Sequence, residues 1–253
     1  VGHLVGGGDC LVVMPTGAGK SLCYQVPAVV RGGLAVVVSP LIALMKDQVD
    51  ALVDKGIRAT FLNSSLSRAA YQERMQGLEQ GQFELLYVAP ERFTPHFLRF
   101  LSQRDVRTLA IDEAHCLSQW GHDFRPDYLR LGRVREALGS PPTAAMTATA
   151  TPEAQRDIVQ TLGIGQGKVF IRGFDRENLI NEVVQVSSKG HKDALLPDLV
   201  HPGPALVYCA TRKNVERATK ALRQVGVRAG MYHAGLDGDD RTRVQDDFMT
   251  GRI

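Results

Sequence analysis

The sequence predicts an α/β protein built on a doubly wound parallel sheet, and three observations carry that expectation. Short apolar runs bounded by turn-forming residues recur along the chain, the pattern of strands buried on both faces. Segments of helical length lie between them, as right-handed crossovers between parallel strands require. The stretch LVVMPTGAGKSLCYQ (11–25) passes from an apolar run through Gly17 and Gly19 to a Lys-Ser pair at a helix start. That order suits a phosphate site beyond the carboxyl end of a strand.

Taken in order, the first strand is CLVVM (10–14), and a helix over 20–30 follows the glycine turn. LAVVVS (34–39) is an unbroken apolar strand, with a helix over 41–55 behind it. RATFLN (58–63) and FELLYVA (83–89) are the next strands, separated by a helix over 67–80, and a further helix spans 95–104. RTLAID (107–112) ends on a carboxylate, and PTAAMTA (142–148) is the last strand of this series. Between these two, PDYLRLGRVREALG (126–139) has Pro126 at a first helical position and Gly139 just past the end, the usual asymmetry of a helix. A helix over 152–162 follows.

The texture changes after residue 163. GIGQGKVFIRGFDRENL is glycine-rich and irregular, which reads as a linker. The alternation resumes with NEVVQV (181–186), a helix over 191–200, ALVYCA (205–210), a helix over 211–225, RAGMYH (228–233) and a helix over 238–249. Within 211–225, Val215, Ala218, Leu222 and Val225 form an apolar stripe, while Lys213, Arg217, Lys220 and Arg223 take the other faces. The expected organisation is a first domain over 1–165, a linker over 166–180 and, over 181–253, the front part of a second domain of similar kind. The start at VGHLV and the stop at GRI both read as cut ends.

Composition sets the outer limits. A chain of 253 residues has room for one large domain or two ordinary ones. Its net charge of +3 is compatible with a nucleic-acid partner without requiring one. Cys10, Cys23, Cys116 and Cys209 stand far apart with no C-x-x-C pair, so they read as small core residues of a reducing compartment. No apolar run approaches the roughly 18 residues of a membrane span and no signal peptide is visible. A soluble intracellular protein with no membrane partner is expected.

The chemistry lies in the loops. In MPTGAGKS (14–21), the segment Thr16, Gly17, Ala18 and Gly19 can turn backbone N–H groups toward a phosphate at a helix N-terminus. Lys20 would reach the β- and γ-phosphates, and the Ser21 hydroxyl would bind Mg²⁺. Met14 stands where the general pattern has its first glycine. In RTLAIDEAHCLSQ, Asp112 and Glu113 lie side by side at a strand end. Asp112 is suited to hold Mg²⁺, and Glu113 to orient and deprotonate a water. The two motifs together predict hydrolysis of a nucleoside triphosphate.

Three further stretches bear on what that hydrolysis drives. TATAT (147–151) sets hydroxyls, among them Thr147 and Thr149, beyond a strand. They suit contacts to both the carboxylate motif and a neighbouring domain, or simply the cap of the helix at 152. SPLIALMKDQV (39–49) brings Ser39, Pro40 and a helix N-terminus to a strand end, a second place able to accept a phosphate. QWGHDFRPDY (119–128) holds Trp120, the only tryptophan, with His122, Phe124, Arg125 and Tyr128. Aromatics interleaved with a cation can stack on unpaired bases, or can pack beneath a loop. Residue types alone leave both open.

MPTGAGKSLCYQ, SPLIALMKDQV, YVAPERF, IDEAHCLSQWGHDFRPDY, TATAT, FDRENL, YCATR and YHAGL occur in an order and spacing that resembles the RecQ-type DNA helicases of superfamily two. The resemblance runs over essentially the whole chain. It implies a RecA-like sheet followed by the first part of a second RecA-like domain, with ATP and Mg²⁺ as cofactors and single-stranded, forked or partial-duplex DNA as partner. It implies that Trp120, Phe124 and Arg125 belong to a loop coupling DNA binding to hydrolysis. His115 would link that loop to Lys20, Ser21, Asp112 and Glu113. Ser39, Pro40 and YVAPERF would line a DNA track, and Thr147 to Thr149 would transmit the hydrolysis state. Translocation 3′ to 5′, duplex unwinding, roles in DNA repair and recombination, and a bacterial cytoplasmic, nucleoid-associated setting are implied by the family only.

Departures from the family pattern qualify this expectation. No glutamine precedes the phosphate loop to recognise adenine, and the arginine-bearing motifs that should follow YHAGL are not reached. An arginine finger is worth about 10³ to 10⁵ in turnover, so slow hydrolysis is expected of this chain. The alternative is a nucleotide-dependent DNA-binding module without a complete cycle. An RNA helicase of the same superfamily is disfavoured by QWGHDFRPDY.

Overall fold

The computed structural model describes residues 1–118, 123–173, 179–200 and 203–253, and the chain divides into two compact units, 1–176 and 177–253. The first unit opens with a short helix, α1 (Gly2–Val5), which the sequence pattern does not predict. β1 (Cys10–Val13) leads through the glycine turn to α2 (Leu22–Arg31), and β2 (Leu34–Val38) to α3 (Ile42–Val53). β3 (Ala59–Leu62), α4 (Arg68–Glu79), β4 (Leu85–Val88) and α5 (Pro95–Ser102) follow. After β5 (Val106–Ile111) come two 3-10 segments, Ala114–Leu117 and Pro126–Arg130, the second running into α6 (Leu131–Ala137). β6 (Thr143–Thr147), α7 (Pro152–Leu162) and β7 (Lys168–Ile171) complete the unit.

The six strands read from the apolar runs of the first domain are all present, and a seventh joins them. Every pairing is parallel, and the order is β3-β4-β2-β5-β6-β1-β7. Successive residues of a strand face opposite sides, and here both sides are covered. Val13, Val36, Val38, Leu109 and Ile111 pack with Phe97, Leu101, Leu131 and Ile158. Val12, Ala35, Val37, Tyr87 and Ala110 pack with Leu4, Tyr24, Ala28, Met45 and Leu52. Double burial is why these strands read as continuous apolar runs; each fully buried Val or Leu side chain contributes about 1.5–3 kcal/mol. Hydroxyl caps start the helices that follow: Ser67 accepts from the Ala70 amide, Thr94 from Phe97 and Thr151 from Ala154.

Two expectations need correction. The segment assigned to a linker over 166–180 contains β7, which pairs with β1 from Cys10↔Lys168 to Val13↔Ile171. One of the glycines that suggested a linker, Gly167, instead permits a close approach. A Cβ on Gly167 would lie 2.8 Å from the Asp9 carbonyl oxygen and 2.9 Å from that of Ile164. β7 is an edge strand with exposed side chains, so no doubly buried apolar run announces it.

The second unit contains α8 (Lys189–Leu199), α9 (Arg212–Gln224) and α10 (Gly238–Met249), close to the expected helices. The strands expected at 181–186, 205–210 and 228–233 are not formed among the described residues. Val183 and Tyr208 are each 91% exposed. Segments near 204–209 and 227–230 instead line an apolar cavity of about 550 Å³ with Leu222 and Phe248. An apolar run records only that a segment can be buried; a strand also needs a neighbouring backbone within about 4.8 Å. FDRENL falls largely outside the described residues.

The Gly167→Ala variant should lose about 1–3 kcal/mol of unfolding free energy, because the added methyl must push β7 away from β1. Urea melts of the two chains measure this, and equal midpoints would show that β7 is not held as described.

Candidate functional site

The glycine loop, the SPL turn, the carboxylate pair and TATAT leave the sheet at its carboxyl edge. β1, β6 and β5 are adjacent, with Val13 opposite Thr147 and Ile111 opposite Ala145. The backbone ties them further: the Met14 amide donates to the Thr147 carbonyl at 3.1 Å, and the Asp112 amide to the Val38 carbonyl at 2.8 Å.

The glycine loop turns at Gly17 and Gly19, with φ of +82° and +85°, values that a side chain would oppose. Lys20 and Ser21 form the turn before α2, and the Lys20 ammonium donates to the Met14 carbonyl at 3.1 Å. Lys20 thus bridges its own loop, a contact that a phosphate in the turn would replace with a stronger, charge-assisted one.

Asp112 leaves β5 partly buried, and Glu113 follows in the left-handed region at φ +48°. The Glu113 amide donates to Asp112 Oδ1 at 3.0 Å. Burial first, and then the neighbouring Glu113 charge, push the Asp112 carboxyl up to about 6, against the opposing pull of that amide, Lys20 and His115. This is a hard oxygen donor pair, held at a cost, whose charge a divalent cation would relieve. It fits Mg²⁺, with the Ser21 hydroxyl as the neutral donor of the set.

His115 connects this pair to β6. Its Nδ1 lies 3.2 Å from Glu113 Oε2 and 3.1 Å from Thr147 Oγ1. Thr147 sends its own proton to the Thr149 carbonyl at 3.0 Å, and a carboxylate only accepts. Nδ1 therefore carries the hydrogen. Thr147 is fully buried, and its hydroxyl joins His115 to the Thr149 carbonyl. Thr149 lines an open cleft of about 480 Å³ with Thr16, Pro40, Glu113, His115 and Asp123, a size suited to a small-molecule ligand. Thr151, the last hydroxyl of TATAT, caps α7, while Thr147 meets His115 of the carboxylate motif.

The expected DNA-facing residues divide. Trp120 and His122 lie outside the described residues. Phe124 is half-buried. Arg125 grips Asp123 at 2.9 Å and donates to the Pro40 carbonyl at 3.3 Å, so the aromatic stretch is tied to the SPL turn. Ser39 is only 2% exposed, so any contact it makes at this edge would come from its backbone. Pro40 does face the cleft, and α3 begins beside it without a side-chain cap.

Three features escaped the motif reading. Tyr128 donates to the Asp112 carbonyl at 3.1 Å. Ser118 donates to Asp157 at 2.7 Å, pinning the entry of the aromatic stretch to α7. Behind the glycine loop, Gln25 links Gln48 of α3 at 2.9 Å with Tyr87 of β4 at 3.0 Å. Nothing in residue spacing marks these pairs, which meet only through the sheet. His115, Cys116 and Asp123 also bring ligand atoms within 4.8 Å of one another. Burial pushes the Cys116 thiol up to about 12, which keeps it a protonated core residue.

A parallel sheet with a glycine phosphate loop on one strand and paired carboxylates two strands away is the arrangement of a phosphate-loop nucleoside-triphosphate-binding domain. The family model for the DEAD/DEAH box helicases matches residues 1–158, and the chain belongs to that family. Within the family the sequence is similar to the RecQ helicases. It is 46% identical over 246 residues to the ATP-dependent DNA helicase RecQ of Bacillus subtilis, covering 95% of this chain and 41% of that one. It is 45% identical over 249 residues to that of Haemophilus influenzae, covering 98% and 40%. The chain thus spans about two-fifths of the length of these relatives. The crystal structure of the helicase MrfA bound to DNA superposes over 100% of this chain and 38% of its own, with a TM-score of 0.71 at 18% identity, and shows the shared fold. No helix among the described residues is long and apolar enough to cross a membrane.

The raised Asp112 carboxyl has a measurable consequence. In the unfolded chain this group ionises near 3.8, so between about pH 4 and 6 the native state keeps a proton that the unfolded state has lost. Its contribution to stability therefore falls as pH rises through that window. In EDTA, Asp112→Asn should be more stable than the parent by on the order of 1–3 kcal/mol above pH 6 and should show little gain near pH 4. Urea unfolding across pH checks this; a difference that ignores pH would contradict the assignment.

Proposed function

We propose that this chain is the ATP-hydrolysing part of a DNA helicase, coupling hydrolysis to movement along single-stranded DNA and to separation of forked or partial duplexes. One observation carries the reading most directly. The glycine loop, the Asp112–Glu113 pair and the His115–Thr147 link leave three adjacent strands at one sheet edge. Lys20 and the amides of Thr16 to Gly19 would hold the triphosphate, and Ser21 and Asp112 would hold Mg²⁺. Bound Mg²⁺ supplies charge neutralisation at the transferring phosphoryl group. Glu113, oriented by His115 Nδ1–H, would take the proton of the attacking water. The family resemblance supports 3′ to 5′ movement, a role in DNA repair and recombination, and action at the nucleoid of a bacterial cytoplasm. On the same ground residues 181–253 are read as the start of a second RecA-like domain.

The aromatic stretch is read as the DNA sensor. Arg125 joins it to the SPL turn, and Trp120 and Phe124 supply faces on which bases stack, each worth about 1–3 kcal/mol. ATP turnover with and without single-stranded DNA at low salt tests the proposal. Turnover should rise with DNA in the parent, lose that rise in Trp120→Ala, and fall at least about a hundredfold in Lys20→Ala. Turnover indifferent to DNA would reject the coupling; stronger stimulation by RNA would reject the DNA assignment.

A further inference from the structure

Tyr128 closes the stretch QWGHDFRPDY, and its burial takes it out of any stacking surface that the stretch offers. Its side chain is fully buried, yet its hydroxyl reaches the backbone carbonyl of Asp112 at 3.1 Å. That carbonyl belongs to the peptide joining the two site carboxylates. On its other edge the same peptide presents the Glu113 N–H, which donates to Asp112 Oδ1 at 3.0 Å. The peptide is therefore gripped from both sides. Its next residue, Glu113, sits at φ +48°, a conformation that costs a residue with a Cβ roughly 1–2 kcal/mol and persists only where surrounding groups hold it.

Tyr128 is suited to be such a group. Burial raises its phenol far above the ordinary range, so the proton stays in place and the hydroxyl remains a donor. Its backbone is joined to the aromatic stretch: the Tyr128 amide donates to the Arg125 carbonyl at 2.9 Å, and the Arg125 amide to the Cys116 carbonyl at 3.1 Å. Arg125 in turn holds Asp123 and the Pro40 carbonyl. A displacement of the aromatic stretch must move Tyr128, and moving Tyr128 releases one edge of the Asp112–Glu113 peptide. The freed peptide can rotate, which takes the Glu113 N–H from Asp112 Oδ1 and changes what that oxygen offers a cation.

We infer that Tyr128 is a positioning residue: it clamps the Asp112–Glu113 peptide and passes the setting of the aromatic stretch to the carboxylate that would hold Mg²⁺. The inference rests on the reading of this edge as an Mg²⁺–ATP site, and its test separates the two. Tyr128→Phe removes one oxygen and keeps the buried ring. Two quantities are measured on the whole chain, after thermal melting has shown that both forms are folded. The first is hydrogen exchange at the Glu113 amide, without nucleotide or metal; it should quicken about tenfold in the variant. The second is affinity for a fluorescent ATP analogue with and without Mg²⁺. The gain from Mg²⁺ should shrink about fivefold to tenfold in the variant, while affinity without Mg²⁺, set by Lys20 and the loop amides, stays within about twofold. A merely structural role for the tyrosine would lower both affinities together. Unchanged exchange at Glu113 overturns the clamp. Faster exchange with an unchanged Mg²⁺ gain overturns the link to the cation. A parent that binds no nucleotide refutes the helicase reading, and the exchange result then decides the clamp by itself.

Discussion

The in-register parallel pairing of β2, β5, β6 and β1 is the constraint on which the rest of this structure depends. Val38 stands opposite Ile111, Ile111 opposite Ala145, and Val13 opposite Thr147, so the loops after these strands emerge at nearly one level. A slip of one residue would exchange the two faces of a strand. That would turn Val36 and Val38 away from Phe97 and Ile158 and toward Met45 and Tyr24, where the packing is shaped for other side chains. The register is fixed by burial on both faces, and the active edge inherits its alignment from the core. Site geometry is thus a by-product of apolar packing in the strands that lead into the loops.

That edge also concentrates charge where the sheet can least solvate it. Asp112 follows directly on the fully buried Ile111 and is itself partly buried next to Glu113. The raised carboxyl of Asp112 and the left-handed backbone of Glu113 are both costs. Neither contributes to folding; the surrounding core offsets them. A site that is unfavourable when empty and relieved by a cation and phosphates gains more from binding than one already satisfied. Lys20 fits this picture, since its ammonium rests on a neutral carbonyl of its own loop, a partner weaker than a phosphate.

Much of this was legible in the sequence, and the reasons for the exceptions are physical. Strands buried on both faces announce themselves as unbroken apolar runs, and the six of that kind in the first unit were found. β7 was not, because an edge strand needs no such run and its flanking glycines imitate a tether. In the second unit the apolar runs were read correctly as apolar and wrongly as strands, since pairing depends on neighbours that a local pattern cannot see. At the site, chemistry-bearing residues contiguous in sequence, such as Lys20-Ser21 and Asp112-Glu113, were read directly. The burial of the Ser39 side chain was not legible, because a strand-end serine can as easily point into the protein as out of it. The Tyr128–Asp112, Ser118–Asp157 and Gln25–Gln48 contacts were missed, since the partners lie 16, 39 and 23 residues apart.

The missed contacts share a property that bears on how such an edge could respond to a partner. Glu113 is joined through His115 Nδ1 to Thr147 and the loop after β6. Asp112 is joined through its carbonyl to Tyr128 and the end of the aromatic stretch. The two carboxylates differ in their attachments, although they are adjacent in the chain and share one peptide. A movement of the β6 loop therefore acts first on the group suited to activate water, and a movement of the aromatic stretch acts first on the group suited to hold the cation. Because the shared peptide is rigid and has few stable orientations, neither carboxylate can be reset without a consequence for the other. Coupling between the two loops then needs no long pathway: one peptide plane, gripped at its carbonyl by Tyr128 and at its amide by Asp112, is enough to make them answer to each other.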